Sequence, residues 1–123
     1  MTENESKQNI KISKIKVGYQ DISLGIQSTS FQSSNDSYGE FDHRKNTINI
    51  VENLSDLDYC CTLLHEIIHA IVYYYGLTAT GQPLDNDNKE EVAVNNIGNG
   101  LTAVLKDNPL VLDEIKKRLN NVR

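Results

Sequence analysis

The sequence predicts an α+β fold, with a small antiparallel sheet of about four strands followed by three helices. Three observations carry that reading. Short alternating runs rich in β-branched residues are confined to residues 10–51. A helix-start signal, Ser55-Asp56-Leu57-Asp58, opens the second half. Beyond it, apolar residues recur at helical spacing in three segments separated by Gly, Pro and Asn. At 123 residues the chain has the size of one domain and can bury a core without disulfide staples. Residues 1–9, MTENESKQN, hold nothing to bury and read as a disordered tail, which leaves residues 10–123 as the domain.

Ile10, Ile12, Ile15, Val17 and Tyr19 describe a first strand whose phase changes once, with a bulge expected near Ser13 or Lys14. Ile22, Leu24 and Ile26 alternate strictly and give a second strand. Residues 27–37, rich in Ser, Asn and Gln, read as a mobile loop. A hairpin follows: Tyr38-Gly39-Glu40-Phe41-Asp42, a polar turn over residues 43–46, then Thr47-Ile48-Asn49-Ile50-Val51, with Phe41, Ile48 and Ile50 on one buried face.

Ser55 caps a helix that runs to about Tyr75 and stops at Gly76, with a core stripe of Leu64, Ile67, Ile68, Ile71 and Tyr75. Residues 76–88 form a loop. Asp87 as N-cap, with Glu90 as its capping-box partner, then starts a second helix to about Lys106. Its stripe is Ala93, Val94, Ile97, Leu101, Val104 and Leu105, and Gly98 and Gly100 point to a close helix crossing or a distortion of the helix. Asn108-Pro109 starts the last helix, with Leu112, Ile115, Leu119 and Val122 at 3, 4, 3 spacing.

Charge and composition exclude several roles. A net charge of −5 argues against a nucleic-acid or acidic-membrane binder, since those need Lys and Arg in excess on one face. No stretch approaches the length of a membrane span, and the polar start lacks an apolar signal region, so a cytosolic protein is expected. Adjacent Cys60 and Cys61 rarely bridge, which removes a disulfide framework and fits the same compartment.

The chemistry is concentrated in Leu64-His65-Glu66-Ile67-Ile68-His69-Ala70. Two imidazoles four residues apart stack on one helix face and can reach one zinc ion, while Glu66, rotated by about 100°, stands beside it as a general base for a metal-activated water. The histidines fall at the edge of the core stripe, roughly 110° from its axis, so they face a cleft rather than the core. A catalytic site needs a third protein ligand. The longer three-histidine pattern is absent, because Val72 and Tyr75 occupy the positions that need Gly and His. A carboxylate from another helix remains, with Glu90 and Glu91 as candidates. Glu90 has a capping task, which favours Glu91; on its face Gly98 permits close approach, and Asn95 can hydrogen-bond the outer nitrogen of a ligating histidine. Cys61, one turn before His65, is an alternative thiolate ligand, but both cysteines read first as small buried hydrophobes. Tyr73 lies closest to the Glu66 side of the wheel and is a candidate oxyanion donor, although aromatics at a helix end commonly just pack.

On these stretches, together with Ile15-Lys16-Val17-Gly18-Tyr19 and Glu90-Glu91 through Asn99-Gly100-Leu101 to Asp107-Asn108-Pro109, the chain resembles the small zincin-like metallopeptidases encoded by phages and prophages, related to the ImmA/IrrE-type gluzincins. The resemblance implies a minimal gluzincin domain: a small sheet packed on the HExxH helix, and zinc held by His65, His69 and a downstream glutamate. That glutamate maps best to Glu91, with Asn95 one turn on. It implies a zinc-dependent peptidase, acting on a peptide or protein substrate, in the host cytosol if phage-encoded. If the strand over residues 47–51 is the sheet edge beside the cleft, substrate can pair with it by strand addition. The competing reading is a catalytically silent, metal-stabilised interaction module that binds a host or phage protein.

Overall fold

The computed structural model describes residues 12–28 and 38–122. Four strands, β1 (Lys14–Val17), β2 (Gln20–Gln27), β3 (Gly39–Asp42) and β4 (Thr47–Val51), precede three helices, α1 (Asp56–Tyr74), α2 (Asp87–Asp107) and α3 (Pro109–Leu119). The α+β reading holds. The expected N-terminal tail and residues 29–37 of the expected loop lie outside the described residues.

The sheet has the order β1-β2-β4-β3 and is mixed rather than wholly antiparallel, because β2 and β4 run parallel. Composition explains the order. Ile48 and Ile50 are fully buried and Val51 nearly so, so β4 takes the centre, whereas β3 carries Glu40 and Asp42 and forms an edge. The condition under which substrate could add to residues 47–51, that this strand be the sheet edge, is therefore not met. The hairpin itself is as read, with Phe41 opposite Ile48 and a turn closed by Asn46 at φ 52°, a left-handed conformation that Asn tolerates. The bulge expected near Ser13 is not needed to restore phase: β1 begins at Lys14, and Ile12 before it is half exposed.

Helix α1 starts where Ser55 Oγ accepts the Asp58 N–H at 3.1 Å. It is covered on two sides. Ala70 joins Val17, Ile22, Ile48 and Ile50 in one cluster against the sheet, with Leu63, Ile67 and Tyr74 around it. Ile68 and Val72 join Val94 of α2 in a second cluster. The expected single stripe is therefore corrected: Thr62, Glu66 and Ala70 are buried, while Ile71 and Tyr75 are exposed. A stripe drawn for one packing partner misses a helix held between two, where a short Ala at residue 70 lets the sheet come close. The Tyr74 hydroxyl donates to Asn46 Oδ1, tying the end of α1 to the hairpin turn. Burial, and secondarily the neighbouring Tyr73, pushes the Tyr74 phenol pKa up.

Helix α2 is capped by Asn86, whose side chain accepts the Lys89 N–H at 2.9 Å, and not by Asp87. Asn and Asp cap equally well, so the adjacent pair left the sequence ambiguous by one residue. Its buried residues are Val94, Gly98 and Thr102; Ile97, Leu101 and Val104 of the expected stripe are exposed. A Cβ on Gly98 would meet His65 Cα at 3.6 Å, an ordinary packing distance at the helix crossing, whereas one on Gly100 would meet nothing within 4 Å, so Gly98 alone faces α1. Helix α3 buries no residue. No helix among the described residues is long and apolar enough to cross a membrane.

Candidate metal centre

One turn of α1 and the first turns of α2 build the site. His65 and His69 bring their Nε2 atoms to 3.2 Å from each other. Glu91 of α2 reaches both, with Oε1 at 3.0 Å from His65 Nε2 and Oε2 at 3.4 Å from His69 Nε2. Each histidine thus faces its own Glu91 carboxylate oxygen, and one ligand atom from each of the three side chains lies within 4.8 Å of the others, close enough for a metal ion to be held among them. Among the described residues this is the one group of three or more His, Cys, Asp or Glu whose ligand atoms converge in this way. Two imidazoles and a carboxylate suit zinc, and both histidine side chains are mostly shielded from solvent while Glu91 is half exposed.

The outer nitrogen of His69 is also held. Nδ1 lies 2.6 Å from Glu90 Oε2, so an Nδ1–H donated there leaves the Nε2 lone pair for a metal. By sequence Glu90 pairs with Asp87 in a capping box. With Asn86 as N-cap, Lys89 takes that position, and Glu90 is released to point back at α1. The preference for Glu91 as the metal-facing carboxylate thus rested on the wrong premise about Glu90, yet Glu91 is the one brought to both Nε2 atoms. A cap one residue earlier was the signal available. Asn95 lines the cleft that holds His65 and Glu91.

Glu66 is 2% exposed, the most buried charged residue of the chain described. It lies under β3: a Cβ on Gly39 would meet Glu66 Cγ at 3.3 Å and Thr62 Cγ2 at 2.7 Å. Glu66 also lines two clefts that flank the metal group, of about 400 and about 560 Å³. The first contains His43, His69, Tyr73 and Glu90; the second contains Cys61, His65, Glu91 and Asn95. Each has room for peptide side chains.

The cysteines are not buried hydrophobes. Cys60 is exposed, and half-buried Cys61 donates to Asn99 Oδ1 at 3.3 Å across the α1–α2 crossing. Cys61 lies on the face toward α2 but lines the open cleft there with His65, Glu91 and Asn99, so it is only half-buried. His43, on the turn between β3 and β4, stacks on Tyr73 at a centroid distance of 4.4 Å.

A family model described as the IrrE N-terminal-like domain, Peptidase_M78, matches residues 19–99. The matched span runs from the start of β2 into α2 and includes His65, Glu66, His69, Glu90 and Glu91. No curated protein and no solved structure matches the chain.

Proposed function

We propose that this chain, which belongs to the Peptidase_M78 (IrrE N-terminal-like) family, is a zinc-dependent endopeptidase. Membership makes it a protein of metallopeptidase type; zinc, the ligand set and cleavage are the proposal. The observation that carries it is the convergence of His65, His69 and Glu91, with ligand atoms within 4.8 Å of one another, and buried Glu66 beside them. Zinc bound there would supply a Lewis acid that polarises a carbonyl and makes water a nucleophile near neutral pH. Glu66 takes the proton from the attacking water and passes it to the departing amine, a task for which a carboxylate anchored under the sheet is well placed. Glu90 orients His69, and Asn95 is assigned to the His65 side of the cleft. An extended substrate pairs with β3, the edge strand whose Gly39, Glu40 and Phe41 line the first cleft.

Elemental analysis and a cleavage assay against a protein mixture test this. Purified wild-type protein is expected to carry one zinc per chain. Glu66→Gln is expected to keep the metal and lose cleavage by at least about 10²-fold, and His69→Ala to lose the metal. Full zinc in His69→Ala would overturn the ligand set. Zinc in a wild type that cleaves no more than Glu66→Gln would favour the interaction-module reading.

A further inference from the structure

We propose, resting on the peptidase reading above, that Tyr73 is a further catalytic residue of this site. Its phenol donates a hydrogen bond to the oxyanion that develops on the scissile carbonyl, and His43 positions it. Tyr73 follows His69 by four residues and Glu66 by seven, so all three share one face of α1. Side chains on a helix lean toward its N-terminus, so the Tyr73 ring extends back over the turn that carries His69. Tyr73, His69, Glu66 and His43 line the same cleft.

The ring is held rather than loose. His43, on the turn between β3 and β4, stacks on it with an interplanar angle of 21°; Phe41 of β3 meets it edge-on at 6.1 Å, and Tyr74 at 4.9 Å. Three rings from two elements and a turn fix its orientation, while 38% of Tyr73 stays exposed toward solvent. The lining of the cleft also includes Glu40, Asp85, Asp87 and Glu90, which as carboxylates accept and do not donate, and two further neutral donors, Thr78 and Asn86, the second engaged in capping α2; of the neutral donors Tyr73 is the one that shares the α1 face of His69 and Glu66. A neutral, pre-oriented O–H is what such a cleft needs where negative charge develops, and no bond to the tyrosine is made or broken in donating it.

The test uses full-length, zinc-loaded protein and two probes measured by calorimetry. A phosphoramidate dipeptide presents a tetrahedral anion in place of the oxyanion, and a thiol dipeptide engages the metal without one. Tyr73→Phe is expected to weaken the phosphoramidate by about 10-fold or more, with thiol affinity and zinc content unchanged. His43→Ala is expected to weaken the phosphoramidate as well, and His43→Phe, which keeps the stack, to restore it. Equal phosphoramidate affinity in wild type and Tyr73→Phe would overturn the proposal, as would a wild type that binds the thiol but not the phosphoramidate. A wild type that takes up no zinc would instead overturn the peptidase reading on which this rests.

Discussion

Glu90 and Glu91 are chemically identical neighbours with opposite assignments, and a helix turn of about 100° per residue is enough to separate them. Glu91 meets the Nε2 side of the histidine pair, and Glu90 meets the Nδ1 side of His69. A carboxylate on the outer nitrogen fixes the tautomer and raises the basicity of the ligating nitrogen, and losing it typically lowers metal affinity 10- to 100-fold. Glu90→Gln is therefore expected to weaken zinc binding by about that range in a chelator competition assay while the circular dichroism of the fold is retained. Glu91→Gln should weaken it further. Equal affinities for wild type and Glu90→Gln would remove the orienting role. At this scale the HExxH residues were readable because their chemistry depends on spacing within one helix. The Glu90 contact was not, because it depends on whether Asn86 or Asp87 caps α2, and both residue types serve.

The elements meet the site through two glycines that differ in kind. At Gly98 an added Cβ would make ordinary contacts with His65 and Ile68, at 3.6–3.9 Å. At Gly39 it would stand 2.7 Å from Thr62 Cγ2, with Asn49 O and Glu66 Cγ both at 3.3 Å. A methyl group on β3 must therefore push the edge strand away from α1 at the level of the general base. Gly39→Ala is expected to destabilise by about 1–3 kcal/mol, read as a lowered denaturant midpoint, and to reduce cleavage more than zinc content. Gly98→Ala should be neutral or slightly stabilising, since Ala is the better helix former by about 1 kcal/mol. A Gly39→Ala midpoint equal to wild type would show that the strand gives way freely. The strands, the hairpin and the three helices were legible because each carries its own period and punctuation. Which strand forms the edge, and that α1 is covered on two faces, depend on partners distant in sequence, so Gly98 was flagged and Gly39 was not.

For the molecule as a whole, what matters is where its two apolar clusters end. One joins the sheet to α1 and the other joins α1 to α2 and Leu84; neither contains a residue of α3. The family match likewise stops at residue 99, before α3 begins. The 3, 4, 3 spacing in that helix marks one apolar face, yet Leu112, Ile115 and Leu119 on it are 37%, 46% and 63% exposed. Periodicity reports that a helix is amphipathic, and it cannot report whether the same chain supplies the surface that covers it. All the proposed site residues lie on α1, α2 and the β3–β4 hairpin, so the unit that holds them is complete by Asp107. Deleting residues 109–123 is accordingly expected to leave zinc stoichiometry unchanged and to move the thermal midpoint by less than about 5 °C, the equivalent of roughly 1 kcal/mol in a domain of this size. A fall of more than about 10 °C, or loss of the zinc, would mean that α3 braces α2 and with it Glu90 and Glu91. Stoichiometry and midpoint measured together would then locate the brace, because loss of zinc with an unchanged midpoint implicates the α2 ligand turn alone.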